Sequence, residues 1–151
     1  MSKLCHPKIL RVYSHFEDES YCYFVLEYIK KGDLHVYCQS APNKVLDAAS
    51  TAHFVVDLIS ALYYLHNMDP QIIHRDIKPE NLLLQDNGEL KLTDFGVSNY
   101  CEGNRKRETT TGTEIYQPPE MLLKQGYDTR ADIWAIGVMI FELLVGHPPF
   151  I

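Results

Sequence analysis

The sequence predicts an α+β fold made of short strands and two long apolar helices. An aromatic and β-branched run, Tyr21–Tyr28, indicates a strand. Apolar residues with a helical period follow Asp47, and a nearly continuous apolar segment occupies residues 131–146. A hairpin pattern lies between the two helices. At 151 residues, the chain is long enough for one domain with a hydrophobic core.

The first strand and the first helix are separated by polar residues. The strand is broken by the sequence KKGDL, residues 30–34. Asp47 is a candidate N-cap for the helix that follows. Apolar residues spaced three and four apart predict one buried helix face, formed by Val55, Leu58, Ile59, Leu62 and Leu65.

The hairpin and the second helix have clear boundaries in the sequence. Residues 82–93, LLLQDNGELKLT, predict two strands joined by a turn at Asp86–Gly88. The segment ADIWAIGVMIFELLVG, residues 131–146, is apolar nearly all round and predicts a central buried helix. Gly146 and the prolines after it end this helix.

Composition excludes several classes of protein. Hydrophobic residues make up 46% of the chain, charged residues 23%, and the net charge is −6, so we expect no nucleic-acid partner. The longest apolar run, Ile133–Phe141, is too short to span a bilayer, and no signal peptide is recognisable. The four cysteines lack disulfide-redox or zinc spacing, which favours reduced thiols and a cytoplasmic or nuclear location.

Two segments do not fit a purely structural interpretation. Residues 72–84, IIHRDIKPENLLL, place several charged side chains between apolar flanks. Charged groups resist burial unless they are paired or used, so this segment is a candidate site. The stretch Val97–Pro119 has no periodicity, and a loop of this length inside a compact domain is usually functional or disordered.

Three short motifs within or next to these segments resemble a known family. The sequences HRDIKPEN, DFG and PPE have the order and spacing of the catalytic loop, metal-binding motif and activation segment of eukaryotic-type serine/threonine protein kinases. Residues 4–34 are similar to the region from the end of the C helix to the hinge, and residues 128–150 to the F-helix region. The resemblance therefore covers the whole chain.

The resemblance implies a partial protein-kinase-like fold. Residues 1–29 would be a small-lobe remnant with the hinge, and residues 30–151 the mainly helical large lobe, truncated after the F helix. Pro118 replaces the alanine of the usual A-P-E motif, as in Aurora-like members of the family. The calcium/calmodulin-type and polo-type branches remain open.

The chemistry of phosphoryl transfer accounts for four of the motif residues. Asp94 and Asn81 offer the oxygen ligands that Mg²⁺ prefers, with Mn²⁺ as an alternative. Asp76 can accept the proton of an incoming hydroxyl, and Lys78 can place positive charge on the transferred phosphate of ATP. A lysine two residues after this aspartate resembles the serine/threonine branch, so the expected partners are proteins with Ser or Thr acceptors.

By resemblance, further residues bind ATP or support the site. Leu26 would be the gatekeeper, and the hinge from Glu27 to Ile29 would bind adenine through its backbone. Asp33 would reach the ribose, and Leu83 would pack under the adenine. The residues expected to support the site are His74, Arg75, Phe95, Gly96, Thr113, Glu120 and Asp132. Among these, Asp132 would hold the backbone of the catalytic loop.

The resemblance also implies a preference among substrates. Glu80 and Glu142 match positions that attract an arginine upstream of the phosphorylated residue in basophilic members of the family. Two carboxylates that converge on one groove would favour a guanidinium group.

The sequence departs from the family pattern at its ends. It contains no G-x-G-x-x-G loop and no V-A-I-K lysine to anchor ATP. The helices expected after the F helix, and the arginine that normally pairs with Glu120, are not found in it. We therefore expect little activity from this chain alone, exposed apolar surface beside the F helix, and poor solubility or dependence on a partner.

Two functional interpretations remain open. In the first, the chain is part of the catalytic core of a serine/threonine kinase. In the second, it is a catalytically inactive kinase fragment that acts as a regulatory or protein-interaction module, for example with a regulatory subunit. Decay of the active site is disfavoured, because the residues that decay would remove, Asp76, Lys78, Asn81 and Asp94, are all retained.

We predict that Thr109 carries an activating phosphate. It lies three residues before Gly112, and Thr110 and Thr111 are its neighbours. A phosphate adds a charge of about −1.5 to −2, with which Arg75 could pair and so order the loop. Phosphosite mapping of the active protein from its native cells tests this. Unmodified Thr109–Thr111 in active protein would contradict it.

Overall fold

The fold consists of three small sheets around two long helices. A computed structural model of the chain describes residues 4–95, 99–101 and 113–150. Its strands are β1 Val12–Glu17, β2 Cys22–Leu26, β3 Gln71–Ile73, β4 Leu82–Leu84, β5 Leu90–Leu92 and β6 Asn99–Cys101. Its α-helices are α1 Leu34–Ser40, α2 Ala48–His66, α3 Pro119–Leu122 and α4 Arg130–Val145. Single 3₁₀ turns occupy Pro42–Lys44, Pro79–Asn81 and Glu114–Tyr116.

Each sheet is an antiparallel pair of strands. β1 pairs with β2, β3 with β6, and β4 with β5. The predicted hairpin is confirmed, because Leu82 lies opposite Leu92 and Leu84 opposite Leu90. Gly88 has a φ of 86° in the turn, a conformation that favours glycine. The strand predicted within Tyr21–Tyr28 is confirmed as β2.

The helix α2 begins where the sequence predicts. The Asp47 carboxylate caps it by accepting hydrogen bonds from the backbone N–H and hydroxyl of Ser50. The predicted buried face is only partly correct, since the Ile59 side chain is 49% exposed. The helix packs against β3, β5 and α4, which rotates its buried face toward Phe54, Ala61 and Leu65.

By length and composition alone, α2 is the one described helix that could cross a membrane. Core helices of globular proteins have the same properties, so this is weak evidence for a membrane span. Its buried face includes Leu58, Leu62 and the carboxylate of Asp57, and this face lies in the main hydrophobic core.

The helix α4 predicted as central and buried lies in the core with one face, while its opposite face is exposed in the described residues. Ala135, Ile136 and Met139 lie in the core, whereas Ile133 is 55% exposed. Trp134 and Phe150 stack with their ring centroids 5.8 Å apart beside the exposed face. Apolar surface is therefore exposed along this helix, as the sequence led us to expect.

Two glycines of this region should respond in opposite directions to substitution by alanine. Gly146 ends α4 with a φ of 90°, and an added Cβ would lie 3.2 Å from Cγ1 of Val45. We expect Gly146→Ala to lower the free energy of unfolding by about 1–2 kcal/mol.

Gly137→Ala provides the matched control. Gly137 lies inside α4, and an added Cβ meets no atom within 4 Å. We expect this change to raise the free energy of unfolding by roughly 0.5–1 kcal/mol, because alanine favours the helix. Urea unfolding measures both variants, and shifts of the same sign would contradict the description of this helix end.

Candidate active site

The carboxylate of Asp132 on α4 binds the backbone of the loop between β3 and β4. Asp132 is fully buried, and its Oδ2 accepts a hydrogen bond from the His74 N–H at 3.0 Å. Its Oδ1 accepts one from the Arg75 N–H at 2.8 Å. Arg75 has a φ of 73°, which side-chain-bearing residues rarely adopt. Asp132 therefore stabilises a loop conformation that is unfavourable by itself.

A third partner of this carboxylate was missed by the sequence analysis. Nε2 of His66 lies 2.7 Å from Oδ2 of Asp132. His66 is the last residue of α2 and lies one turn after Leu62, which is buried. The sequence signal for this contact is that His66, a polar residue, continues the buried face of α2. The contact ties α2, α4 and the loop to one another.

The side chains of the loop form a connected hydrogen-bond network around Asp76. Its Oδ1 accepts hydrogen bonds from the N–H and the hydroxyl of Thr113, both at 3.0 Å. Its Oδ2 lies 2.9 Å from Nζ of Lys78 and 2.9 Å from Nδ2 of Asn81. Lys78 also donates to the Thr113 hydroxyl at 2.8 Å. The structure thus brings these four predicted site residues together.

The network keeps Asp76 ionised. Burial raises the pKa of this carboxyl group, but the Lys78 ammonium and the two donors of Thr113 outweigh burial and lower the pKa below its ordinary value. A carboxylate that is charged at neutral pH and only 8% exposed is suited to accept a proton or a hydrogen bond from a hydroxyl.

The two predicted metal ligands lie on adjoining parts of the hairpin. The Thr93 N–H donates to the carbonyl of Asn81 at 3.0 Å, and Asp94 follows Thr93 directly. The side-chain amide of Asn81 donates to both the carbonyl and the carboxylate of Asp76, which orients its Oδ1 as an acceptor. Asp94 is exposed and has a φ of 60°.

These two oxygen donors suit a Mg²⁺ ion that also keeps phosphate and water ligands. They do not form a site in which the protein supplies every ligand. The described residues contain no group of three or more His, Cys, Asp or Glu that could hold a metal ion. Mg²⁺ in phosphoryl-transfer sites is usually bound by one or two carboxylates or amides together with phosphate oxygens and water. Asn81 and Asp94 match that requirement.

His74 and Phe95 pack behind the metal-ligand candidates. Their ring centroids are 5.0 Å apart in an edge-on arrangement. Nε2 of His74 lies 2.9 Å from the carbonyl of Thr93, and its Nδ1 lies 3.4 Å from the Asp76 N–H. Burial lowers the pKa of His74, so the neutral ring donates through Nε2. Gly96, the next predicted support residue, is outside the described residues.

The predicted nucleotide-binding residues lie where the hinge meets the hairpin. Asp33 pairs with Leu83 in an isolated β-bridge, and the Leu84 N–H donates to the Gly32 carbonyl at 2.8 Å. Leu83 is half-buried, and Leu26 is 44% exposed. The backbone therefore brings hinge and hairpin together on the side of the hairpin that also carries Asn81.

Two side chains of the hinge region already have partners. Oε2 of Glu27 lies 2.7 Å from Nζ of Lys91 on β5, an ion pair that the sequence analysis missed. Oδ1 of Asp33 caps α1 by accepting from the Val36 N–H at 2.8 Å. Binding by Glu27 would therefore use its backbone, as the resemblance implies, and Ile29 beside it is half-buried.

Of the two glutamates predicted to recognise substrate, one is committed to a tyrosine. Glu142 is half-buried and accepts a hydrogen bond from the hydroxyl of Tyr116. Burial and then the Glu142 carboxylate raise the pKa of Tyr116 well above its ordinary range, and Glu80 adds to this effect. Both carboxylates thus raise the pKa of the same tyrosine. Glu80 is exposed, with Nδ1 of His35 at 3.8 Å.

The remaining predicted residues lie near the activation segment. Arg75 donates from Nη1 to the Tyr127 hydroxyl at 3.0 Å, and its buried Nε has no hydrogen-bond partner within the described ranges. Glu120 lines a cavity of about 550 Å³ together with Tyr127 and Trp134. Thr109 lies outside the described residues, so its pairing with Arg75 stays a prediction.

Comparison with known proteins identifies a family. The profile of the protein kinase domain matches residues 1–151. The chain is 46% identical over 147 residues to Aurora kinase C of Mus musculus, and 45% identical over 149 residues to Aurora kinase A-A of Xenopus laevis. It is 44% identical over 149 residues to an Aurora kinase of Schizosaccharomyces pombe.

These matches cover nearly all of this chain but only part of each relative. The share of this chain is 97% for the mouse protein and 99% for the other two. The share of the relatives' own lengths is 51%, 35% and 41% in the same order. The chain thus spans about half or less of the curated relatives that it matches.

His74 should make folding stability depend on pH. Its folded-state pKa is lowered from 6.5, so the unfolded chain binds a proton more readily than the native chain. The stability that the neutral ring contributes is present above the unfolded pKa and is lost as pH falls below it. We expect the urea concentration at the unfolding midpoint to decrease when the pH is lowered from 7.5 to 5.5.

The variant His74→Gln provides the comparison, because glutamine keeps a donor and an acceptor but cannot be protonated in this range. Its urea midpoint should change less over the same pH interval. An equal change in the two proteins would show that His74 does not cause the pH dependence.

Proposed function

Because the chain belongs to the protein kinase family, we propose that it forms the large-lobe part of a domain that transfers the γ-phosphate of ATP to Ser or Thr of proteins. The observation that carries the proposal is the network in which Asp76 contacts Lys78, Asn81 and Thr113. The residue types and distances suit positioning and charge stabilisation, which account for most of the catalysis of phosphoryl transfer.

Each residue of the network has a definable part in this reaction. The ionised Asp76 would accept a hydrogen bond from the substrate hydroxyl and orient its oxygen toward the phosphate. Lys78 lies 2.9 Å from that carboxylate, so its ammonium would face the charge that moves onto the phosphate oxygens. Asn81 and Asp94 would hold Mg²⁺, which screens phosphate charge when bound.

We extend the proposal to serine/threonine specificity with an Aurora-like character. The relatives cited above are named Aurora kinases, and the identity to them is 44–46%. Lys78 supports the serine/threonine part of this proposal, because a lysine two residues after Asp76 resembles that branch of the family.

We also propose that Glu80 and Glu142 select basic substrates. Glu80 is exposed and Glu142 is half-buried, so both carboxylates can be reached from the surface. A guanidinium group there would be attracted by two negative charges. Phosphorylation of a peptide library by a completed domain should enrich Arg or Lys before the acceptor, and Glu80→Gln should weaken that enrichment. A library without such enrichment would contradict the proposal.

The alternative function is that of a kinase-derived interaction module. It is favoured by the exposed aromatic residues of β1 and β2, where Phe16 is 57% and Phe24 52% exposed, and by the exposed face of α4. Such surfaces suit binding to another protein surface. A catalytic test separates the two functions, because only the kinase requires Asp76 and Asp94.

We expect a completed domain to transfer phosphate. In this experiment the chain replaces the matched region of mouse Aurora kinase C, whose remaining half supplies the rest of the domain. The chimera should phosphorylate a generic Ser/Thr substrate with Mg²⁺ or Mn²⁺. Asp76→Asn should lower the rate by about 10²–10⁴-fold, the usual contribution of a positioned acid–base group, and Asp94→Asn should also lower it strongly.

Val36→Ala serves as the matched control in the chimera. Val36 lies on α1, its side chain is 58% exposed, and it is remote in sequence from the network. Its rate should stay close to that of the unmodified chimera. A folded chimera that binds ATP but transfers no phosphate, or one whose rate is unchanged by Asp76→Asn and Asp94→Asn, would favour the interaction module.

A further inference from the structure

A group of charges formed by Lys8, Asp57 and Glu89 lies away from the candidate site, and the Glu89 side chain is 43% exposed. Nζ of Lys8 is 2.7 Å from Oδ1 of Asp57 and 3.1 Å from Oε1 of Glu89. The side chains of Lys8 and Asp57 are only 14% and 9% exposed. The group joins the segment before β1, the middle of α2 and the end of the hairpin turn.

Asp57 extends this group to the backbone of β5. Its second oxygen, Oδ2, accepts a hydrogen bond from the Leu90 N–H at 2.9 Å. One carboxylate therefore binds the Lys8 ammonium with one oxygen and the first residue of β5 with the other. Both oxygens are used, as a buried charge requires.

The backbone around Lys8 is joined to the end of β5 by an isolated bridge. The carbonyl of Lys8 accepts from the Leu92 N–H, and the Leu10 N–H donates to the Leu92 carbonyl, both at 2.9 Å. Ile9 and Leu92 form a parallel bridge and are 2% and 1% exposed. Residues 8–10 thus cover the edge of β5 opposite β4.

β5 leads directly to the proposed metal ligand. Leu92 is its last residue, Thr93 is bonded to Asn81 and His74, and Asp94 follows. Only Thr93 separates the last residue of β5 from Asp94, so the path of the strand helps to set the position of Asp94. Displacement of β5 would therefore move Asp94 relative to Asn81.

We infer that Lys8 is a positioning residue for Asp94: its ion pairs with Asp57 and Glu89 hold residues 8–10 along β5 and so fix the strand that presents the metal ligand. The importance of Asp94 in this inference rests on the proposed function. Loss of the Lys8 charge would leave Asp57 buried without a cationic partner, which strongly disfavours the closed arrangement. Arginine at this position would keep the charge.

Backbone hydrogen exchange of the full chain tests the positioning directly. We expect Lys8→Met to accelerate exchange of the Leu10 and Leu92 amides at least about tenfold, because their hydrogen bonds join residues 8–10 to β5. Amides in the middle of α4 should be unaffected. Lys8→Arg should exchange like the unmodified chain, and so should Lys44→Met, which removes an exposed lysine that forms no ion pair among the described residues.

Unchanged exchange at Leu10 and Leu92 in Lys8→Met would overturn the inference, and so would equal acceleration throughout the chain. Should Lys8→Met fail to fold, the double variant Lys8→Met/Asp57→Asn removes the unpaired charge and retains an acceptor for the Leu90 N–H. The same comparison of amides then applies to it, with Asp57→Asn alone expected to resemble Lys8→Met.

A second measurement separates failure of this inference from failure of the proposed function. Electron paramagnetic resonance reports binding of Mn²⁺ with ADP to the unmodified chain and to its variants. Lys8→Met and Asp94→Asn should both weaken this binding, and Lys8→Arg should not. Weakening by Asp94→Asn alone would overturn the role of Lys8. Binding that does not depend on Asp94 would count against the proposed metal site, while hydrogen exchange would still decide whether Lys8 holds β5.

Discussion

The buried carboxylate of Asp132 is the contact on which the candidate site depends. An ionised group without solvent is stable only if donors surround it, and here the donors are two backbone N–H groups of the loop and the ring of His66. The requirement works in both directions. The carboxylate needs these donors, and the loop needs the carboxylate to keep Arg75 at a positive φ. As a result, the loop has one stable arrangement relative to α2 and α4.

The side chains of the candidate site are then placed by two separate supports. α4 fixes the start of the loop, so that Asp76 comes to lie within hydrogen-bond distance of Lys78 and Thr113. The hairpin fixes the positions of Asn81 and Asp94, because Asn81 directly precedes β4 and Asp94 follows β5. Asn81 joins the two supports, since its amide bonds to Asp76 and its carbonyl to the Thr93 N–H. The proposed proton acceptor and the proposed metal ligands are thus held by a continuous set of short contacts.

The sequence predicted the elements and motifs of this fold better than the contacts between them. Turn residues, the cap at Asp47 and the period of α2 are local signals, and they gave the hairpin and the helix start correctly. The exposure of Ile59 and of one face of α4 depends on which elements pack where, which local period does not specify. The same holds for the ion pairs of Lys8 and Lys91, whose partners lie 49 and 64 residues away along the chain. His66 was missed because a histidine in a last helical turn is also a common surface residue.

The most direct test of the central role of Asp132 is the kinetics of Asp132→Asn in the chimera with mouse Aurora kinase C. Asparagine has the same shape but offers one acceptor oxygen instead of two, so a buried N–H of the loop loses its partner. Loss of such a bond costs about 1–3 kcal/mol, so kcat should fall about tenfold or more. The KM for ATP should change little, because the hinge residues do not contact Asp132. An unchanged kcat in a folded variant would contradict the account.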